Sequence, residues 1–208
     1  MKKNGFLITL ASPSGGGKST ICKQLMNKVN NLKYSISWTT RAIRVNEEDG
    51  KDYFFTSIED FKEKQKKNFF LESANVHDNW YGTSYEFIDN CLKNEEILLL
   101  DIDVQGVEQI RKQSYNIVSI FILPPTESEL RERLINRKTD SKETIKKRLS
   151  NAKTEIKYLP KYDYLVINDT IENAVNNIIS IINAEKFKVE RYIEPIKSFY
   201  NQRSNNEY

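Results

Sequence analysis

A chain of 208 residues, 38% hydrophobic and 29% charged, is long enough for one domain with a buried core and has the composition of an ordinary globular protein. The net charge is only +3, with 32 basic residues interspersed among 29 acidic ones, which excludes the concentrated basic stripe of a nucleic-acid binder and reads as a solvated surface. Cys22 and Cys91 form neither a disulfide framework nor a zinc spacing, no apolar run approaches the roughly 18 residues of a membrane span, and Met1-Lys2-Lys3-Asn4 runs into a short strand-like segment rather than a signal-peptide core. A cytosolic protein without membrane or nucleic-acid partners is the expectation.

Phe6 to Leu10 opens the chain as a continuous apolar run, the pattern of a strand covered by helices on both faces. A glycine-rich turn follows, and then Ile21, Leu25, Met26 and Val29 share one face of a predicted helix. Cys22 lies in that helix and reads as a buried free thiol. A less apolar segment, Tyr34 to Trp38, is a candidate fifth strand. From about Thr39 to Asn90 the rhythm breaks into polar and aromatic sequence, with Tyr53-Phe54-Phe55 and Phe69-Phe70-Leu71 as short strands around a charged helix from Ser57 to Lys67; this reads as an inserted lobe. Buried strands resume at Ile97 to Leu100, Ile117 to Leu123 and Tyr164 to Ile167. Between the last two, the basic stretch Arg131 to Leu149 predicts a mobile helical flap. Ile171, Ala174, Val175, Ile178 and Ile182 then repeat at helical spacing behind Asp169, placed to cap them. Alternating strands and helices imply an α/β parallel sheet with right-handed crossovers.

The turn Ser12-Pro13-Ser14-Gly15-Gly16-Gly17-Lys18-Ser19, followed by Thr20, sits between a strand and a helix, the context a phosphate-binding loop requires. Its glycines let successive backbone N–H groups face phosphate oxygens, the helix start adds its positive end, Lys18 reaches the β- and γ-phosphates and Ser19 offers a hydroxyl to Mg²⁺. Ser12 departs from the pattern, which has glycine there. Farther on, Arg41 and Arg44 with Tyr53 form a candidate clamp for a second phosphate, since arginine forks pair with phosphate oxygens. Asp101 ends an apolar run and so emerges at the carboxyl end of a strand beside the loop, where open α/β sheets bind ligands; a helix cap is its competing reading. Asp103 projects from the same side, and Gly106 is read as allowing the turn into the next helix.

Ser37-x-Thr39-Thr40-Arg41-x-x-Arg44-x-x-Glu47 and Gly50-x-Asp52-Tyr53, continued through Glu72, Tyr81-Gly82-Thr83, Asp101-Ile102-Asp103-Val104-Gln105-Gly106, Pro124-Pro125, Arg133, Arg137, Arg148 and Asn168-Asp169, closely resemble the guanylate kinase family over about Gly5 to Ala184. The resemblance implies a nucleoside monophosphate kinase fold: a five-stranded parallel core (5–34, 91–130 and 150–186), a GMP-binding lobe (about 35–90), a lid (about 131–149) and a tail (187–208) in one domain. It implies transfer of a phosphoryl group from ATP to GMP with Mg²⁺, in purine nucleotide metabolism, and it leaves dGMP use and self-association open.

On the donor side, the resemblance assigns Ser12 to Thr20, Arg133, Arg137 and Asn168 to ATP, with Ser19 and, through water, Asp101 on the metal. On the acceptor side, Arg41, Arg44, Tyr53 and Tyr81 would grip the GMP phosphate while Ser37, Glu72, Thr83 and Asp103, with Asp101 nearby, serve the guanine side. Lys18, Arg41, Arg137 and Arg148 would stabilise the charge in flight. Lys138 stands where the family often has glycine. Glu72 suits guanine because a carboxylate accepts from both N1–H and N2–H₂, whereas adenine would leave it unpaired. Two rivals remain: a phosphopeptide-binding module of guanylate-kinase type, against which Lys18 and Ser19 argue, and a kinase for another nucleoside monophosphate, against which Glu72, Thr83 and Asp103 argue. His77 reads as surface, and Trp38 and Trp80 as packing within the small lobe.

Overall fold

The computed structural model describes residues 5–76, 78–113, 115–136 and 142–192. In chain order these form β1 (Phe6–Ala11), α1 (Lys18–Lys28), β2 (Leu32–Tyr34), β3 (Trp38–Thr39), β4 (Phe54–Phe55), α2 (Ile58–Lys66), β5 (Phe70–Val76), β6 (Asn79–Ser84), α3 (Tyr85–Lys93), β7 (Ile97–Asp101), α4 (Val104–Arg111), β8 (Ile117–Leu123), α5 (Glu127–Ile135), α6 (Lys142–Ile156), β9 (Tyr164–Ile167) and α7 (Ile171–Glu185). The core sheet has the order β2-β7-β1-β8-β9, and every pairing in it is parallel.

Both faces of this sheet are covered, as its unbroken apolar strands require. Phe6, Ile8 and Leu10 of β1, with Ile97 and Leu99 of β7, pack against Ile21 and Leu25 of α1 and Val175, Ile178 and Ile182 of α7. Leu7, Leu98 and Leu100 point the other way, onto Ile88 of α3 and Val107 and Ile110 of α4. The four apolar runs expected as core strands all lie in this sheet. The fifth does not survive as one strand: Leu32–Tyr34 joins β7, whereas Trp38–Thr39 leaves to pair with β4 and β6. Ser35 to Ser37 are the turning point, where the chain passes from one sheet to the next.

The second sheet, β4-β3-β6-β5, builds the inserted lobe. Phe61 of α2 stacks on Phe70 at 4.4 Å between ring centroids, and Trp38 stacks on Phe54, so both tryptophan-bearing segments pack the lobe. Strand β5 runs five residues past the expected Leu71, and β6 was not anticipated, because its sequence Asn-Trp-Tyr-Gly-Thr-Ser carries no apolar run.

Two caps differ from expectation. Thr170, not Asp169, is the N-cap of α7, its hydroxyl accepting from Asn173 N at 3.1 Å, while Asp169 accepts from the Asn173 amide and from Thr170 N. Asp103 caps α4 through Gln105 N and Gly106 N, which places Gly106 inside the helix rather than in a turn leading to it. The basic stretch after Arg131 spans the end of α5 and much of α6, which pack through Leu130, Leu134, Leu149 and Ala152; Arg137 and Lys138 lie outside the described residues, as does His77. Among the described residues no helix is long and apolar enough to cross a membrane.

Candidate active site

The loop between β1 and α1 is shaped by Gly15 and Gly17, whose φ angles of +92° and +94° are costly for any residue with a Cβ. Gly17 is also the N-cap of α1, with no side-chain cap bond and no acidic residue in the first turn. Among the described residues, no capping side chain or first-turn acid occupies the leading N–H groups of α1, whose partial positive charge lies at the cleft. The amide of Asn168, at the end of β9, donates to Gly16 O at 2.7 Å and braces the loop from below. The Ser12 hydroxyl lies where a side chain on residue 16 would stand, so a glycine at 16 accommodates the serine at 12.

Parallel pairing sets Leu10 beside Asp101, so the carboxylate ending β7 arrives next to the loop that leaves β1. Lys18 Nζ is 2.5 Å from Asp101 Oδ1. Burial alone would lower the lysine's pKa, but the charge and hydrogen bond of Asp101 reverse this and leave it raised. Asp101 is therefore an ion-pair partner and not a helix cap. Tyr34 Oη donates to the other carboxylate oxygen at 3.4 Å. Ser12 to Thr20 line a cleft of about 270 Å³, closed on its far side by Ile102, Asp103, Val104 and Glu155.

A second cavity, of about 160 Å³, opens from the other side of Lys18 and is lined by Ser37, Tyr53, Glu72, Tyr81, Asp101 and Asp103. Glu72 reaches it through a register shift in the β5–β6 pairing: Phe70 faces Ser84 and Glu72 faces Thr83, with Leu71 as the extra residue. The irregularity lets Leu71 enter the main core while its neighbour's carboxylate enters the cavity. Glu72 is 3% exposed, and Thr83, itself fully buried, donates to Glu72 Oε1 at 2.6 Å. Burial, helped by Asp103 and opposed by the Thr83 hydrogen bond, pushes the Glu72 carboxyl up to about 7. Thr83 thus stands behind Glu72 and acts on the cavity through it.

Arg41 is held at the rim of this lobe. Its Nη2 donates to Glu47 Oε1 and Oε2 at 2.7 and 2.9 Å, its Nη1 donates to Ala42 O, and its guanidinium lies 5.2 Å from the centroid of the Tyr53 ring. The same partnership lowers the Glu47 carboxyl below its ordinary range. Arg44 points outward, with 73% of its side chain exposed; its backbone N–H donates to Glu47 Oε2 at 3.0 Å, and its guanidinium stands 4.0 Å from Glu47 Oε1. Tyr53 and Tyr81 meet edge to face at 5.9 Å, and burial, followed by Asp101 and Tyr81, raises the Tyr53 phenol.

From α6, Arg148 Nη1 donates to Ser14 Oγ of the loop at 3.1 Å. Arg133 of α5 donates to Asn168 O at 2.9 Å and to Glu129, so it is tied to the strand end that braces the loop. Arg137 lies outside the described residues. Three residues at the site were not anticipated. Tyr34 looked like any strand aromatic, and Glu47 was quoted only as part of a pattern. Glu155 follows Arg148 by seven residues and so shares its helix face; that spacing was the available signal. Burial raises its carboxyl to about 7, Lys18 pulling it down and Asp103 pushing it up. Among the described residues no cluster of three or more His, Cys, Asp or Glu side chains is gathered for a metal ion.

A glycine loop at a helix start, with a lysine shared between a donor cleft and an acidic acceptor cavity on an inserted lobe, defines a P-loop phosphotransferase of nucleoside monophosphate kinase type. The family model described as guanylate kinase matches residues 5–185. The chain is 48% identical to the guanylate kinase of Caldanaerobacter subterraneus over 92% of its own length and 93% of that protein, and 46% identical to that of Rickettsia prowazekii over 93% and 98%. A crystal structure of guanylate kinase from Anaplasma phagocytophilum superposes with a TM-score of 0.79 at 33% identity, covering 94% of each chain. The chain belongs to the guanylate kinase family.

Proposed function

We propose that this protein catalyses the reaction of its family, ATP + GMP ⇌ ADP + GDP, with the roles of its residues set by the two cavities. The observation that carries the assignment is their shared wall: Lys18, Val76, Ile102 and Asp103 line both, so the donor and acceptor spaces adjoin at Lys18. The triphosphate lies along Ser12 to Thr20, with Lys18 on the transferring group. Arg148 and, from the family pattern, Arg137 meet the charge on its equatorial oxygens, and Arg133 and Asn168 flank the nucleotide at the strand end. Helices α5 and α6 serve as a lid that excludes water, which would otherwise receive the phosphoryl group.

On the acceptor side, Arg41, Arg44, Tyr53 and Tyr81 hold the GMP phosphate in line, Arg41 nearest the transferring group. Glu72, ionised by the two donors on the guanine edge, reads the base with Ser37 and Asp103. Catalysis is positioning and charge neutralisation, with no covalent enzyme intermediate.

Ser19 directly and Asp101 through water would hold Mg²⁺, hard oxygen donors that suit an ion bound mainly by substrate phosphates. When bound, it would supply charge neutralisation to the transferring phosphoryl group. ADP formation from ATP with GMP, AMP, UMP and CMP in turn tests the proposal; GMP is expected to dominate, and equal turnover of AMP would overturn the guanine assignment.

A further inference from the structure

Helix α4 and the turn that follows it face strand β5, and together they hold both sides of Glu72. Gln109 Nε2 donates to Ser73 O at 2.8 Å, and Gln109 Oε1 accepts from Ser73 N at 3.1 Å. Gln113, four residues later, donates to Leu71 O at 2.8 Å. The strand is thus fastened on either side of residue 72, at the point where its register shifts. Three residues before Gln109 lies Gly106. A Cβ there would stand 2.7 Å from Glu72 Oε2 and 3.2 Å from its Cδ. Gly106 does not have the left-handed backbone that favours glycine, and within a helix glycine is a poorer choice than alanine. Its N–H donates to Asp103 Oδ1, so it also touches the other acidic wall of the cavity.

From these contacts we infer that Gly106 and Gln109 of α4, with Gln113 in the turn that follows it, form the specificity-determining template of the acceptor cavity: the glutamines fix where the β5 backbone lies, and the bare Gly106 fixes how deep the Glu72 carboxylate sits. None of the three lines the cavity, so they are positioning residues. The inference rests on the guanine-reading role of Glu72. It implies a conflict between stability and selectivity at residue 106. An added methyl would meet the Glu72 carboxylate most closely and Ile102 Cβ at 3.3 Å; the flexible carboxylate gives way first, and it is the group facing the base.

The experiment compares Gly106→Ala, Gln109→Ala and Glu72→Gln in the full chain. Each is measured for GMP KM, kcat, AMP turnover, the Kd of ATP by titration calorimetry and thermal midpoint. Gly106→Ala is expected to keep its thermal midpoint and ATP affinity while GMP KM rises about tenfold or more and the GMP-over-AMP preference falls, as follows when a buried polar group is moved off its partner. Gln109→Ala should shift KM in the same direction, and it decides the matter alone if Gly106→Ala does not fold. Glu72→Asp, which withdraws the carboxylate by one methylene, should reduce the penalty of Gly106→Ala in a double-mutant cycle. An unchanged GMP KM in the folded variants, an equal loss of ATP affinity, or strictly additive effects would overturn the inference. If Glu72→Gln itself leaves GMP preference intact, the reading of the base pocket falls instead.

Discussion

Lys18 and Asp101 form an ion pair across the seam between β1 and β7, and the pair marks where the donor cleft meets the acceptor cavity. The β1–β7 register sets Asp101 beside Leu10, and the Ser12–Gly17 loop returns Lys18, the first residue of α1, over that strand end, so sheet and loop together make the pair. Lys18→Ala should lower kcat by about 10²–10³-fold with every acceptor, the usual loss when one charged stabiliser of a transition state is removed, while GMP Kd changes little. Steady-state ADP formation and calorimetric GMP titration check both halves.

Glu72 should make GMP binding sensitive to pH. Its carboxyl titrates near 7 in the folded protein against an ordinary 4.5, and the guanine donors bind the anion. Affinity should therefore be flat above pH 7 and fall about tenfold per unit below it, with proton release on binding. Calorimetry in buffers of different ionisation enthalpy measures that release; none at pH 6 would contradict the expectation.

The same shift predicts a stability effect with a defined sign. A raised carboxyl favours the folded state fully below pH 4.5, and that advantage is lost as pH rises through 7. Glu72→Gln removes the buried anion, so the variant should gain about 3 kcal/mol at pH 8 and nothing at pH 4. Urea unfolding at the two pH values provides the comparison. A more stable variant that no longer prefers GMP would show what the carboxylate contributes.

Glu47 holds the fork of Arg41 against Tyr53, and that pairing keeps its carboxyl below the ordinary range. Glu47→Gln keeps the shape but weakens two charge-assisted bonds. GMP KM should rise about tenfold, as befits a bond to a charged group, with ATP Kd unaltered. Guanosine binding should be unchanged, since only the phosphate contact is disturbed.

Arg148 reaches Ser14 from the neighbouring helix, so its guanidinium already stands at the phosphate loop. Arg148→Ala should reduce kcat without altering GMP Kd; a rise in GMP KM at constant kcat would move this arginine out of the transfer step.

The core sheet and the loop were legible because parallel strands covered on both faces must be apolar throughout, and because a phosphate cradle needs glycine and lysine at fixed spacing. The inserted lobe was less so. Strand β6 is held by pairing and by Gly82 packed on Phe70 and Phe61, contacts that leave no periodic trace in Asn79–Ser84. Within the site, Glu72 could be named from its place in a pattern, but its burial, its raised carboxyl and its dependence on a register shift at Leu71 are products of tertiary structure. Gly106 shows the difference most clearly. It read as a turn residue, whereas its neighbour across the gap, Glu72, is the reason a side chain is absent.

Strand β1 precedes the other described elements in the chain, and it occupies the centre of the sheet, between β7 and β8. Both of those neighbours come from beyond Glu96, and the aromatic ring of Phe6 is covered by the guanidinium of Arg191, 4.0 Å away, which pairs with the fully buried Glu185. During translation, an apolar segment destined for the interior must therefore wait, unpaired, until β7 has left the ribosome, and for its second partner until β8 has followed. Lys188 and Arg191 also lie past residue 185, where the family match stops, so a nascent chain that has delivered every matched residue still lacks both cations that pair with Glu185. The core of this protein is consequently expected to close late, with β1 the segment most in need of chaperone protection.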